Sequence, residues 1–144
     1  MVRPILTLVR HGHAEWPDYS GRDFDRPLTP RGLEDALATA RAIRSAGLQP
    51  TILLSSSARR TRDTAAILAR ELDIADPALH FDDELYNASA NKLHAAAALA
   101  ARKYPHVLLV AHNPGISEFA RRLSGDAKLA LKPAGWVTGA LPAD

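Results

Sequence analysis

Two histidines follow apolar runs that have the pattern of buried strands. The first run, residues 5–9, leads through an arginine to His11, and the second, residues 107–111, leads directly to His112. Open α/β sheets bind ligands just beyond the carboxyl ends of their strands. We therefore expect the two histidines to meet at one edge of a sheet and to form a catalytic crevice there.

The residues around these histidines suit phosphoryl transfer. Phosphate oxygens are held well by arginine, whose planar and permanently charged guanidinium spans two oxygens, and Arg10 and Arg60 are the candidates. A neutral imidazole can attack phosphorus and form a covalent phosphohistidine, a role that fits His11. His112 would stabilise oxygens whose charge changes during transfer. With the helix amino termini that follow the strands, the predicted phosphate site comprises Arg10, His11, Gly12, Arg60, His112 and Asn113.

Length and composition favour one globular domain spanning residues 1–144. The chain is 47% hydrophobic and 24% charged, which is enough to build a single core. Its net charge is +2 and its 18 Lys and Arg are scattered, which favours local phosphate binding over nucleic-acid binding. The absence of cysteine excludes disulfides, a thiolate nucleophile and a cysteine zinc site.

The amino-terminal apolar run bears on localisation. It is too short for a membrane span and lacks the small-residue cleavage pattern of a secretory signal. We therefore expect a cytoplasmic protein that binds neither membrane nor nucleic acid.

Hydrophobic periodicity predicts an alternation of strands and helices. Unalternating apolar runs, such as those near residues 4–10 and 107–111, are typical of central strands that are covered on both faces. The expected fold class is therefore α/β, a mostly parallel central sheet flanked by helices on both faces. Strands are predicted near residues 4–10, 51–54, 79–85, 107–111 and 136–141, and helices near 30–46, 58–72, 88–104 and 114–123.

Local signals place the helix starts and the loops. Thr29 followed by Pro30 predicts a capped helix start, because proline at the first helical position loses no hydrogen bond. Asn113 and Pro114 repeat this pattern before the last helix. The polar segment 14–28 predicts a long surface loop, a kind of loop that is usually functional. The remaining histidines expected at the surface are His80, His94 and His106.

Four motifs occur in an order that resembles the histidine phosphatase (phosphoglycerate mutase-like) superfamily. The short length and the Arg-Pro-Leu-Thr block resemble its small SixA-like phosphohistidine phosphatase branch, and the resemblance covers nearly the whole chain. The motifs are Leu8-Val9-Arg10-His11-Gly12, Arg26-Pro27-Leu28-Thr29-Pro30-Arg31-Gly32, residues 56–65 and Val110-Ala111-His112-Asn113-Pro114.

The resemblance assigns roles to the site residues. It makes His11 the phosphate-accepting nucleophile and His112 the second histidine of the pocket, and it implies no cofactor. The family's spacing before the Thr-Ala pair selects Arg60 over Arg59 as the arginine of the following helix. We expect the hydroxyl of Thr64, one helical turn away, to help orient that guanidinium.

The chain departs from larger family members between Leu72 and Tyr86. It lacks room there for the helical insertion that roofs the site in those members, so an open pocket is expected. An open pocket can admit a phosphorylated side chain of another protein. The resemblance thus implies a metal-independent phosphatase that removes phosphate from phosphohistidine on a phosphotransfer or carrier domain, in signal transduction.

A second departure concerns the proton donor. Near the position where larger members carry a glutamate as the proton donor, this sequence has Asn87. Glu84 is therefore the expected acid, with Asp82 and Asp83 as alternatives. An alkoxide leaving group needs a general acid, whereas imidazole, with a reference pKa of about 6.5, can be protonated from solvent. A weak or missing acid therefore favours phosphohistidine over phosphate esters.

Three other functions are left open by the residues. A general small-molecule phosphomonoester phosphatase would need a working acid near Glu84. His11 and His13, with His112 and a carboxylate, could instead form a metal-dependent hydrolase site, although the neighbouring arginines would repel the cation. A docking module would bind a phosphorylated partner without ever phosphorylating its own histidine.

Overall fold

A single sheet organises the computed structural model, which describes residues 3–16 and 21–142. Over these residues the sheet has five strands in the order β3-β2-β4-β1-β5. The first four strands are parallel to their neighbours, and β5 pairs antiparallel with β1. The strands are β1 (Ile5–Arg10), β2 (Ile52–Ser56), β3 (Leu79–Asp82), β4 (His106–Ala111) and β5 (Trp136–Ala140).

Helices cover both faces of the sheet, as predicted. Val9 and Leu108 face a cluster with the first two helices, and Leu8 and Leu109 face the opposite cluster with the last two. Successive strand residues point to opposite layers, and burial of each large apolar side chain stabilises the fold by about 1.5–3 kcal/mol. In the described residues the α-helices are α1 (Pro30–Ser45), α2 (Arg59–Glu71), α3 (Ala90–Ala101) and α4 (Gly115–Ser124).

The pairing of β1 with β4 brings the two histidines together. Arg10 lies opposite Ala111 in the parallel register. The N–H of His11 donates to the carbonyl of Ala111 at 3.2 Å. His11 and His112 therefore leave the sheet side by side at its carboxyl edge.

The two predicted cap-and-proline starts have different outcomes. At α1 the prediction is confirmed, because Thr29 Oγ1 accepts the N–H of Gly32 at 3.1 Å. At α4 it is wrong. The helix begins after Pro114, and the side chain of Asn113 accepts a hydrogen bond from Ser117 Oγ at 2.5 Å instead of capping the helix.

One strand and one helix are shorter than predicted. The third strand was expected to reach residue 85, but it ends at Asp82 and a 3₁₀ helix, Asp83–Leu85, follows it. The third helix was expected over residues 88–104 but spans Ala90–Ala101. It begins at Ala90 because Ser89 Oγ caps it by accepting the N–H of Lys92. Only residues 83–89 therefore join β3 to α3.

The start of α1 packs tightly against the segment that follows β1. A Cβ atom on Gly32 would lie 2.0 Å from the carbonyl oxygen of His13. A Cβ atom on Gly12 would lie 2.7 Å from the carbonyl oxygen of Gly32. Real Cβ atoms do not approach backbone oxygen this closely, so glycine at both positions lets α1 buttress the backbone beside His11.

The segment 14–28, predicted to be a surface loop, is closed at its base. Ala14 and Leu28 form an antiparallel bridge, and both are buried. A short 3₁₀ helix, Asp23–Asp25, lies within the segment. Residues 17–20 lie outside the described residues, so a function for that stretch stays a prediction.

The surface placement predicted for three histidines holds only in part. His80 is exposed. His106 is buried at the start of β4, where its Nε2 lies 2.7 Å from Thr7 Oγ1, so that prediction is wrong. His94 is half-buried, because its ring stacks on Phe119 at 5.3 Å. Within residues 3–16 and 21–142, no helix has the length and apolar character needed to cross a membrane.

Candidate active site

A cavity of about 300 Å³ lies at the carboxyl edge of the sheet, and the two histidines face each other in it. The ring centroids of His11 and His112 are 5.3 Å apart. The structure brings all six residues of the predicted phosphate site to this cavity: Arg10, His11, Gly12, Arg60, His112 and Asn113.

One hydrogen bond selects the tautomer of His11. Its Nδ1 lies 2.7 Å from the carbonyl oxygen of Gly12. Because a carbonyl can only accept, Nδ1 carries the proton and donates it, and Nε2 keeps its lone pair. Burial lowers the pKa of His11 to about 4, an effect that the neighbouring Arg60 and Arg10 reinforce and the bond to Gly12 opposes. His11 is therefore a neutral imidazole at pH 7.

His112 is also neutral, and one of its ring nitrogens lacks a partner. Its Nε2 lies 2.8 Å from Ser56 Oγ. Burial lowers the pKa of His112 to about 3, with further lowering by His11 and Arg60. In the described part of the chain, His112 Nδ1 and Arg10 Nε are buried without a hydrogen-bond partner. Unpaired buried polar atoms are unusual, and two of them at one cavity fit a site built for a polar ligand.

The choice between two adjacent arginines is resolved by burial. Arg60, in the first turn of α2, has a side chain that is only 6% exposed and lines the cavity. Arg59 is 58% exposed and pairs with Asp63 at 3.1 Å on the outer face of the helix. The structure therefore brings Arg60 to the site and leaves Arg59 outside it.

Thr64 contributes differently from the prediction. Its hydroxyl donates to the backbone carbonyl of Arg60 at 2.8 Å and accepts the N–H of Gly12 at 3.1 Å. The expectation that it orients the guanidinium of Arg60 is therefore wrong, because its hydrogen bonds go to backbone atoms. It ties α2 to the backbone beside His11, and the N–H of Gly12 is engaged by Thr64 and does not face a ligand.

Asn113 lies at the cavity with its side chain already engaged. Its Nδ2 donates to the carbonyl of Leu131 at 3.3 Å, and its Oδ1 accepts from Ser117. The guanidinium of Arg10 also donates to the Leu131 carbonyl, at 3.1 Å. Asn113 and Arg10 are thus held by one backbone oxygen on the segment between α4 and β5.

The structure does not bring the expected acid into the cavity. Glu84 is exposed and forms an ion pair with Lys92 at 2.6 Å, and this bond lowers the pKa of Glu84. Asp82 accepts the backbone N–H of Glu84, and Asp83 accepts the hydroxyl of Ser57. None of these three described side chains lines the cavity, so their placement argues against the predicted role.

Arg26, which lines the cavity, and Asp23 and Tyr86, which lie next to it, are site residues that the sequence analysis did not assign. The hydroxyl of Tyr86 donates to Asp23, and the Tyr86 ring lies edge-on to His112 with centroids 5.5 Å apart. Asp23 also pairs with Arg26 at 2.9 Å and with Arg60 at 3.1 Å. The bond from Tyr86 and these two arginines hold the pKa of Asp23 far below its usual range. Asp23 lies in a loop without periodicity, which gave no signal for its position.

The described residues provide no set of ligands for a metal ion. Over residues 3–16 and 21–142, no three His, Asp or Glu side chains are grouped so that they could hold a metal ion. His13, the second histidine of the metal hypothesis, has its Nδ1 2.8 Å from Thr29 Oγ1.

An NMR titration of the free protein tests the charge state of His11. We expect the ring of His11 to titrate with a midpoint of about 4, because burial disfavours the imidazolium form. The ring binds its second proton only as the pH falls through this value, so the nucleophile is neutral throughout pH 5–8. A midpoint near the reference value of about 6.5 would contradict the buried, neutral nucleophile.

Comparison with known proteins places the chain in a family. The model of the histidine phosphatase superfamily (branch 1) matches residues 6–105, a stretch that includes His11 and Arg60 and ends before His112. An uncharacterised chloroplastic protein of Arabidopsis thaliana is 36% identical over 135 residues, which are 88% of this chain and 62% of that protein. A 2,3-bisphosphoglycerate-dependent phosphoglycerate mutase of Corynebacterium jeikeium is 42% identical over 74 residues, 49% of this chain and 28% of the mutase. The chain thus spans less than two thirds of the length of these relatives.

Solved structures share the fold over nearly the whole chain. The candidate phosphohistidine phosphatase SixA of Agrobacterium tumefaciens superposes with a TM-score of 0.84 at 27% identity, covering 96% of this chain and 92% of that one. A protein histidine phosphatase SixA complexed with tungstate gives a TM-score of 0.81 at 20% identity, covering 93% and 86%. The family match and these folds agree: the chain belongs to branch 1 of the histidine phosphatase superfamily and is SixA-like within it.

Proposed function

We propose that this protein is a phosphohistidine phosphatase that acts on a histidine-phosphorylated phosphotransfer or carrier domain. The observation that carries the proposal is the neutral His11, whose Nδ1 is held by the Gly12 carbonyl while Nε2 is left to attack. Arg10 and Arg60 beside it supply guanidinium groups for the phosphoryl oxygens. Membership of the superfamily supports the phosphatase class.

The first half-reaction transfers the phosphoryl group to His11. Nε2 forms a bond to phosphorus as the bond between phosphorus and the substrate imidazole breaks, and the leaving imidazole takes a proton from solvent. The Gly12 carbonyl allows His11 to keep its Nδ1 proton, so the phosphorylated ring is cationic. A cationic ring is a good leaving group, which prepares the second half-reaction.

The second half-reaction returns the enzyme to its starting state. Water attacks phosphorus, the bond from phosphorus to Nε2 of His11 breaks, and the water gives up a proton as inorganic phosphate forms. His11 is then again a neutral imidazole with its proton on Nδ1. The arginines, fixed before the reaction, stabilise the charge on the transferring oxygens in both steps.

The acid residues near the cavity support imidazole as the leaving group. Glu84 is paired with Lys92 outside the cavity, and Asp23 is ionised because its pKa is lowered. Among the described residues that line the cavity there is no carboxylic acid to protonate an alkoxide. Imidazole needs no such donor, since solvent can protonate it.

The access route supports a protein as the substrate. The connection of residues 83–89 is short and holds only one turn of 3₁₀ helix, and Trp16, which lines the cavity, is 65% exposed. A phosphohistidine on a protein surface can therefore reach His11 while the rest of that protein stays outside. A small metabolite would find few contacts beyond its phosphate.

A general phosphomonoesterase is the second candidate, because curated relatives of this chain include phosphoglycerate mutases, which act on phosphate esters. Phosphate release distinguishes the two. The assay compares a histidine-phosphorylated carrier domain with an alkyl phosphate, whose alkoxide leaving group needs a general acid, in excess chelator. We expect kcat/KM to be at least about 100-fold higher for the carrier, since a missing general acid slows ester cleavage by about that factor or more.

Each alternative outcome of this assay supports a different function. Preference for the ester would support the phosphomonoesterase, and loss of activity in chelator would support metal-dependent hydrolysis. Binding of the phosphorylated carrier without any phosphate release or phosphoenzyme would identify a docking module.

A further inference from the structure

Asp23 contacts two of the cavity's arginines. Its Oδ2 lies 3.1 Å from Arg60 Nη2, its Oδ1 lies 2.9 Å from Arg26 Nη1, and its backbone carbonyl accepts from Arg60 Nη1 at 2.8 Å. We propose that Asp23 is a positioning residue that serves as a built-in counter-ion for these arginines and promotes release of inorganic phosphate. The part of this inference that concerns turnover rests on the proposed phosphatase function.

The buried guanidinium of Arg60 needs a partner when the cavity is empty. Its side chain is 6% exposed, and an unpaired buried charge is strongly destabilising. Asp23 engages one hydrogen of Nη1 and one of Nη2. A guanidinium has five N–H donors, so Arg60 keeps three for a phosphate. Asp23 and a phosphoryl group can therefore bind Arg60 together, and Asp23 fixes the guanidinium before the substrate arrives.

The charge balance of the cavity explains the effect on release. Among the described residues that line it, the permanent positive charges come from Arg10, Arg26 and Arg60, while His11 and His112 are neutral. Asp23 reduces this total of three to a net charge of two, which matches a phosphate dianion. Without the carboxylate, excess positive charge would hold the product more tightly.

The 3₁₀ helix Asp23–Asp25 is fastened to the site by two neighbouring side chains. The hydroxyl of Tyr86 donates to Asp23, and the ring of Phe24 lies edge-on to the Tyr86 ring with centroids 5.1 Å apart. The Tyr86 ring also lies 5.8 Å from the guanidinium carbon of Arg60. The ring contacts do not involve the carboxylate, and the amide oxygen of an asparagine can still accept from Tyr86, so Asn at position 23 should keep the helix in place.

Calorimetric titration with inorganic phosphate tests the proposal without any substrate. We expect Asp23→Asn to bind phosphate about tenfold more tightly than the unsubstituted protein. The estimate is modest because the Asp23 side chain is 48% exposed and solvent screens its charge. A residue with a merely structural role would not raise affinity when replaced, so tighter binding identifies the counter-ion.

Two further variants separate charge from position. Asp25→Asn is the matched control, because Asp25 lies in the same 3₁₀ helix but pairs with the exposed Arg22, and its phosphate affinity should be unchanged. Asp23→Ala loses the hydrogen bonds as well as the charge, so we expect kcat/KM for the phosphohistidine carrier to fall by about tenfold relative to Asp23→Asn.

The outcomes decide the inference independently of the substrate. Unchanged or weaker phosphate binding by Asp23→Asn, or no phosphate binding by any of these proteins, would overturn the counter-ion role. Failure to hydrolyse phosphohistidine would instead overturn the proposed function and leave the calorimetric result standing. If both hold, product inhibition by phosphate should be about tenfold stronger in Asp23→Asn.

Discussion

His11→Ala is expected to abolish phosphate release, with kcat lowered by at least about 10⁴-fold. The substitution removes the Nε2 lone pair that accepts the phosphoryl group, which the bond from Nδ1 to the Gly12 carbonyl keeps unprotonated. The fold should remain intact, because the side chain of His11 lies beyond the end of β1 and outside both hydrophobic clusters. Steady-state phosphate release and thermal unfolding measure the two effects.

The covalent intermediate gives a second readout of the same substitution. Rapid quenching under alkaline conditions should trap phosphate on the unsubstituted protein and none on His11→Ala. His13→Ala is the control, since His13 lines the same cavity but bonds to Thr29. It should retain most of the turnover, whereas a metal site that used His13 as a ligand would lose it. Normal turnover by His11→Ala would mean that another group is the nucleophile.

Arg60→Ala is expected to reduce kcat/KM by about 10³-fold, and Arg59→Ala by less than twofold. A guanidinium that is fixed before transfer stabilises the developing charge without reorganisation, and such arginines contribute factors of about 10³–10⁵. Arg60 is buried at the cavity, while Arg59 forms an exposed ion pair of the kind that contributes little. The two residues are adjacent in sequence and in the same helical turn, which makes them a matched pair.

Arg60→Lys refines this comparison. Lysine keeps the charge but is a point donor, and it cannot span Asp23 and a phosphoryl group as the planar guanidinium does. We expect its kcat/KM to lie between those of Arg60→Ala and the unsubstituted protein. A larger loss for Arg59→Ala than for Arg60→Ala would show that the wrong arginine had been assigned to the phosphate.

The fold and the two histidines could be predicted because their signals are local and strong. Unalternating apolar runs identify β1 and β4 as central strands, and parallel pairing then brings the residues after them to one edge. The start of α1 was equally clear, since Thr29 and Pro30 act through the backbone of their own helix. These are contacts whose partners are set by secondary structure alone.

The predictions that failed depended on contacts between distant segments. Asn113 does not cap α4, because its side chain bonds to Leu131 and Ser117. His106 is buried because strand register places it beside Thr7, ninety-nine positions away in sequence. Asp23 joins the site through side chains from two other elements, and neither helix nor strand periodicity marks such a residue.

The residues proposed to react and the connection between β3 and α3, which borders the cavity, belong to different parts of the fold. The two histidines follow the ends of β1 and β4, and Arg60 lies on α2, whereas the connection includes Asn87, an exposed residue that lines the cavity. Lengthening a flexible surface loop costs only about 0.6 kcal/mol of closure entropy for each doubling of its length. An inserted lid at Asn87 could therefore change which molecules are admitted while leaving the catalytic frame and its stability almost unaltered. In evolutionary terms, a branch with an open site can acquire new substrates by insertion at one position.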